Sequence, residues 1–168
     1  KLFTIFLFTF SIVISNDQIV ELPIGLTENE RLRIHEIHSM GRDTDPPPSP
    51  IRNVAEYERM QGVLIRYPFG IPTELILEMS ENVTIYCLVS SSQQSSASNA
   101  LENGSVDLDN VEFVIGSTDS YWTRDYGPWW VVDGERNMSI VDFTYNRPRP
   151  NDNDAPLKMS NHLEVPFY

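Results

Sequence analysis

The stretch Thr118-Asp119-Ser120-Tyr121-Trp122-Thr123-Arg124-Asp125-Tyr126-Gly127-Pro128-Trp129-Trp130 gathers all three tryptophans of the chain and two carboxylates around one arginine. That set of side chains suits a flat cation. A guanidinium needs an aromatic face for its plane and carboxylate oxygens for its fork of N–H donors, and walls that exclude water strengthen the pairing. The same residues equally suit a structural Arg124–Asp125 pair with tryptophans as core. A second stretch, residues 142–152, carries Arg147-Pro148-Arg149-Pro150. The prolines fix φ and hold the two arginines in an extended spacing, so that two guanidinium forks could clamp a carboxylate. Surface pairing with Asp152 and Asp154 is the alternative.

Two other reactive residue types read as structural. Cys87 falls mid-strand between Tyr86 and Leu88, where an inert core thiol is expected rather than an exposed nucleophile in a positive environment. His35 and His38 share one helical face, but with no third ligand nearby a solvated face is expected and no metal site.

The elements that would position these groups alternate along the chain. Residues 62–67 read as a buried strand stopped by Pro68, residues 72–79 as a helix with Pro72 in its first turn, and 83–89 as a second strand. The serine-rich residues 90–99 fit a polar helix or a loop, with Gly104 as a stop. A third strand covers 111–115, so the tryptophan-rich stretch leaves one strand end and enters another strand, where open α/β sheets place their sites. Residues 129–132 and 138–145 flank Asp133-Gly134, a hairpin signal. The expected fold class is α/β with a mixed sheet. Upstream, Thr27-Glu28-Asn29-Glu30 is a capping-box pattern before a sparse, peripheral helix over 31–40 ending at Gly41. Residues 45–50, Asp-Pro-Pro-Pro-Ser-Pro, form a stiff linker.

A chain of 168 residues fits one ordinary domain. Its net charge of −12 argues against nucleic acid and anionic membranes as partners and mildly favours a cationic substrate, although acidity also serves plain solubility. The apolar run at 2–14 follows Lys1 and ends at Ser15-Asn16-Asp17; it is shorter than the ~18–20 residues that span a bilayer. Residues 1–15 are therefore expected to be a signal peptide cleaved after Ser15, with a short signal-anchor as the alternative. The product would be exported, with residues 16–50 an extension and proline-rich linker and residues 51–168 the globular part. The single cysteine excludes an internal disulfide framework. Sequons at Asn82, Asn103 and Asn137 would be used only in a eukaryotic secretory route.

Four blocks, Glu56-Tyr57-Glu58-Arg59, Val63-Leu64-Ile65-Arg66-Tyr67-Pro68-Phe69-Gly70-Ile71-Pro72, Asp119-Ser120-Tyr121-Trp122-Thr123-Arg124-Asp125-Tyr126 and Tyr145-Asn146-Arg147-Pro148-Arg149-Pro150-Asn151-Asp152, carry a specific likeness. In this order they resemble the bacterial, Porphyromonas-type peptidylarginine deiminases, relatives of the agmatine deiminases in the pentein superfamily of guanidine-modifying enzymes. The resemblance implies a five-bladed α/β propeller of ββαβ modules, of which these residues would supply about two. It also implies hydrolysis of a guanidinium to a ureido group with loss of ammonia, needing no metal or other cofactor. A cysteine thiolate and a histidine would perform the chemistry while two aspartates grip the guanidinium. The resemblance carries Asp125 over as one of those aspartates and Trp122 as a substrate-binding residue. The other groups, a His-x-Asp motif and a cysteine near the carboxyl terminus, are expected downstream of Tyr168. His162-Leu163-Glu164 departs from the motif and Cys87 from the cysteine's place, so these residues are expected to be an inactive amino-terminal part of the catalytic domain. The substrate expected first is an arginine peptide, with carboxyl-terminal arginine favoured by Arg147 and Arg149. Agmatine, in putrescine synthesis, is the alternative, and a non-catalytic secreted guanidinium-binding remnant is the third.

Overall fold

The computed structural model of the chain describes Pro23 and residues 25–168; the expected signal peptide lies outside the described residues. Thr27 and Glu30 make the capping box read from the sequence. The Thr27 Oγ1 accepts the Glu30 N–H at 3.1 Å, and the Glu30 carboxylate accepts the Thr27 N–H at 2.8 Å. The helix it starts is short. In place of one helix over 31–40, α1 (Glu28–Leu32) gives way to a 3₁₀ turn (Ile34–Glu36) and then α2 (Ile37–Met40). Tighter bonds from Arg33 N to the Glu30 carbonyl and Glu36 N to the Arg33 carbonyl account for the break. Residues 31–40 are peripheral as expected, with none of them buried, and only the capping residue Glu30 before them is buried. The proline-rich linker forms neither helix nor strand and is docked: the Gly134 N–H donates to the Pro48 carbonyl at 2.6 Å. A Cβ at Gly134 would lie 2.1 Å from the Ser49 carbonyl oxygen, so only glycine permits that approach.

The strands are β1 (Arg52–Asn53), β2 (Gly62–Arg66), β3 (Thr84–Val89), β4 (Val111–Ile115), β5 (Trp129–Val132) and β6 (Met138–Val141). β2, β3 and β4 pair in parallel with β3 in the centre, Ile65 opposite Cys87 and Cys87 opposite Phe113. The run Ile85-Tyr86-Cys87-Leu88-Val89 is buried throughout because both faces of β3 are covered. One face packs Ile65, Ile85, Cys87 and Val89 against Ile76 of α3 (Thr73–Ser80) and Ala97 and Leu101 of α4 (Gln94–Asn103). Ala97 and Leu101, four apart and fully buried, turn the ambiguous serine-rich stretch into a helix. The other face packs Tyr86, Leu88 and Val114 with Tyr126, Ile140, Tyr145 and Met159.

The single mixed sheet expected from the sequence is two sheets. β5 and β6 form the hairpin at Asp133-Gly134, but they pair with β1 in an antiparallel sheet of order β1-β5-β6. The physical reason lies in Ile140. It is fully buried in the same cluster as Leu88 and Val114, so β6 lies across the parallel sheet instead of extending its edge. Neither sheet closes on itself among the described residues. Beyond β6 the chain makes α6 (Pro150–Asn153) and α7 (Ala155–Leu163); α7 buries Ala155 and Met159 in that same cluster. Between β4 and β5 lies the one-turn helix α5 (Thr123–Tyr126). No helix among the described residues is long and apolar enough to cross a membrane.

Candidate functional site

The two chemistry-bearing stretches of the sequence are bound to each other by reciprocal carboxylate caps. Asp152, fully buried, accepts the Asp119 N–H at 2.7 Å, the Ser120 N–H at 3.1 Å and the Ser120 hydroxyl at 2.6 Å. Asp119 in return accepts the Asn151 N–H at 2.9 Å and its side-chain amide at 2.8 Å. Burial raises the pKa of Asp152, and the Ser120 and Asp119 donors oppose that shift. Tyr126 adds a third tie, its hydroxyl donating to the Ser120 carbonyl at 2.6 Å. The first tie fixes where β4 delivers the turn into α5, and the second fixes where the arginine–proline run begins α6.

Held this way, Asp125 on α5 and Arg147 line one open cleft of about 380 Å3. Four aromatic side chains, Tyr126, Trp129, Phe143 and Tyr145, line it beside polar ones. Trp129 and Phe143 meet edge to face, with ring centroids 5.6 Å apart at 77°, and remain 53% and 62% exposed. Tyr145, buried, closes the cleft from behind and meets Tyr126 edge to face at 5.7 Å. Burial pushes the Tyr145 phenol up, so it stays protonated across the physiological range. An exposed carboxylate beside two exposed rings can receive a planar cation, with one N–H fork on Asp125 and a π-face on Trp129 or Phe143. Arg147 on the same cleft can meet an anionic portion of the ligand.

Trp122 and Arg149, expected from the sequence at this site, are placed elsewhere. Trp122 packs against Tyr121, ring centroids 4.7 Å apart, and against the core cluster of Leu88 and Ile140; it is not among the residues lining the cleft. The physical reason is its position immediately before α5, which turns its ring inward while Asp125 faces out. Arg149 is not presented as a second fork either. Its side chain is 3% exposed and donates from Nε to Glu30 Oε1 at 2.5 Å. The expected clamp of two arginines is therefore one cleft arginine and one buried ion pair. Arg124 points to the far side of the same segment, where it pairs with Glu56 at 2.6 Å beside a second cleft of about 470 Å3 walled by Met60, Pro128, Trp129 and Trp130.

Cys87 is fully buried on β3, and burial pushes its thiol up to about 12. It is a neutral core side chain, as read from the sequence. His162 pairs with Glu112 at 3.0 Å on the outer side of β4. Among the described residues, no group of three or more His, Cys, Asp and Glu side chains is placed to hold a metal. What sequence reasoning missed is the role of the residues that build the site without entering it: Asp119, Ser120, Asn151, Asp152, which it read as a surface partner of the arginines, and Glu30, which it read only as a cap. A faint signal existed, because the polar residues at the ends of the two conspicuous blocks are the ones that cap each other.

The sequence profile of Porphyromonas-type peptidyl-arginine deiminases matches residues 71–165, more than half of the chain. A curated protein of Selenomonas ruminantium, provisionally named an agmatine deiminase, is 30% identical over 73 residues, which are 44% of this chain and 19% of that protein. The fold is similar to the agmatine deiminase of Enterococcus faecalis, with a TM-score of 0.58 at 17% identity over 76% of this chain and 40% of that one. It is also similar to a crystal structure provisionally named a peptidyl-arginine deiminase, with a TM-score of 0.56 at 19% identity over 71% and 40% of the two chains. The chain thus spans about a fifth of the curated relative and two fifths of these solved structures. From the profile match, which takes in both blocks that form the cleft, the chain belongs to the Porphyromonas-type peptidyl-arginine deiminase family.

Proposed function

We propose that this chain provides the guanidinium-binding part of a secreted peptidyl-arginine deiminase, which hydrolyses an arginine guanidinium to a ureido group with release of ammonia. The observation that carries the reading is Asp125 beside Trp129 and Phe143 in one open cleft, within the family match. Asp125 holds two N–H groups of the substrate and keeps its positive charge in place, so that the central carbon is presented to attack. Attack requires an activated nucleophile. Cys87, buried and with its thiol pushed up to about 12, does not fit that part, and the 168 residues alone are expected to release no ammonia from an arginine peptide, which an ammonia assay of the chain checks. In this reading the two sheets are part of an α/β propeller, and residues 1–15 direct export. Arg147 on the cleft favours a ligand that carries a carboxylate, such as a carboxyl-terminal arginine.

One observation favours agmatine instead. Arg149 is buried against Glu30, which leaves the cleft without the two-armed carboxylate clamp that a peptide terminus would use best. Calorimetric titration of the chain with a carboxyl-terminal arginine peptide, the same peptide amidated, and agmatine separates the two readings. The peptide is expected to bind about 2- to 5-fold tighter than its amide, the worth of one partly exposed ion pair. Agmatine bound as tightly as the free peptide gives the agmatine reading instead. In an active enzyme carrying these residues, Asp125→Asn is expected to leave the fold intact and lower kcat/KM at least ~10²-fold. Turnover near normal removes Asp125 from the role.

A further inference from the structure

We propose that residues 27–42 form an internal strap that sets the shape of one wall of the cleft, with Arg42 and Asn153 as the positioning residues through which it acts. The inference rests on the guanidinium reading of that cleft. The wall is residues 143–147, a consecutive run of lining residues that includes Phe143 and Arg147. It belongs to no helix or strand, because β6 ends at Val141 and α6 starts at Pro150. A segment without a ladder of its own must find partners for its backbone elsewhere. Asn153, 3% exposed, supplies one: its Oδ1 accepts the Tyr145 N–H at 2.9 Å, and its Nδ2 donates to the Met40 carbonyl at 3.1 Å. One side-chain amide thus connects the middle of the wall to the end of α2.

Arg42 makes the second connection. Its Nη1 donates to Asp142 Oδ2 at 2.6 Å, its Nη2 pairs with Asp154, and its guanidinium carbon lies 5.9 Å from the centre of the Phe167 ring. Asp142 immediately precedes the wall. Its side chain is 7% exposed, and its other oxygen is buried with no hydrogen-bond partner among the described residues. The charge beside the wall therefore depends on Arg42. Between these ties Gly41 passes so close to the wall that a Cβ there would lie 3.1 Å from Thr144 Oγ1. At the other end of the strap, Glu30 is tied down by its ion pair with Arg149. The strap lies ahead of residues 71–165, so the wall is shaped from outside the stretch that matches the family profile. Phe143 and Arg147 offer a ligand a ring and a cation, and a held backbone lowers the ordering cost of binding to them.

In the full chain, Arg42→Met combined with Asp142→Asn removes both charges of the pair and leaves no buried ion behind. Asn153→Ala cuts the other connection. In each variant the amides of residues 142–147 are expected to exchange with deuterium about 10-fold faster than in the parent, the worth of one buried hydrogen bond left unmade, while those of β3 change far less. Affinity for an arginine peptide is expected to fall about 5- to 10-fold, because binding must then order the wall. Leu101→Ala, in the core on the far side of the parallel sheet, should give the opposite pattern of faster exchange in β3 and unchanged affinity. Exchange in 142–147 that rises no more than in β3 in either variant, or failure of both to fold, overturns the proposal, because the strap then serves stability alone. So does faster exchange with unchanged affinity, where Asp125→Asn weakens binding and thereby marks the cleft as the site. The exchange measurement uses no ligand, so it stands even if the peptide binds elsewhere.

Discussion

In the parallel half of the molecule, β3 runs through five consecutive buried residues, and its neighbours Ile65, Ile76, Ala97 and Leu101 are apolar side chains from flanking elements. In the cleft half, the joints are Asp152 on Ser120, Asp119 on Asn151, Arg149 on Glu30, and Arg42 on both Asp142 and Asp154. The first half is held by area removed from water, which is non-directional and tolerates exchanges of similar volume. The second shares an apolar cluster around Ile140 and Met159 and adds charged hydrogen bonds spanning 32 to 119 residues of sequence, each satisfied only at a particular distance and angle. A sheet can be approximately right and still fold, whereas the distance between Asp125 and Arg147 is set by the polar ties behind them.

The sharpest way to break this contrast is to cut one tie and one apolar contact and compare. Asp152→Ala strips three buried or partly buried donors of their acceptor and is expected to cost about 4 kcal/mol of stability, read by urea unfolding. It should also weaken binding of an arginine peptide at temperatures where the variant is folded, because the turn into α5 is freed. Leu101→Ala is expected to cost about 3 kcal/mol and leave that affinity unchanged, since it opens a cavity on the opposite side of the parallel sheet. If Leu101→Ala weakens binding as much as Asp152→Ala, the two halves are not separable in this way.

A smaller effect sharpens the electrostatic side. The hydrogen bond from Arg149 holds the Glu30 carboxyl down at about 2, against an ordinary value of 4.5. The folded state therefore binds fewer protons at Glu30 than the unfolded chain between those values. Its stabilisation is fully present above about pH 5 and is lost as the pH falls towards 2. Urea midpoints measured from pH 6 to pH 3 should fall for the parent and fall less for Glu30→Gln; parallel curves would show that the pair contributes nothing in that range. The smallest effect is expected at the Glu56–Arg124 pair, whose side chains are 79% and 81% exposed. Glu56→Ala should change stability by no more than about 0.5 kcal/mol and respond to added salt. A loss above 1 kcal/mol would make that surface pair as structural as the buried ones.

Much of the parallel half was legible from residue order. Gly62-Val63-Leu64-Ile65-Arg66, the run into Val89 and Val111-Glu112-Phe113-Val114-Ile115 announce strands by β-branched and apolar content, and Thr27-Glu28-Asn29-Glu30 announces its own cap. These features are local: a strand or a cap is decided by neighbours within a few residues, so the chain alone determines them. The inertness of Cys87 followed from the same locality, because a residue in the middle of an apolar strand is buried whichever helices cover it. The likeness of the four blocks to the deiminases likewise lay in residue order, and it put forward Asp125, which the fold places on the cleft.

What only the tertiary structure decided concerns partners far apart in the chain. The hairpin signal at Asp133-Gly134 was right, yet nothing in it told that β5 would pair with β1 while Ile140 packed across the parallel sheet. Arg147 and Arg149 look alike in sequence, two guanidinium groups one proline apart. Backbone direction at the start of α6 sends one to the cleft and the other inward, and Glu30, 119 residues earlier, supplies the buried charge that makes the inward position tenable. A charge is buried only where its counter-charge is already waiting, and that meeting is a property of the folded chain as a whole.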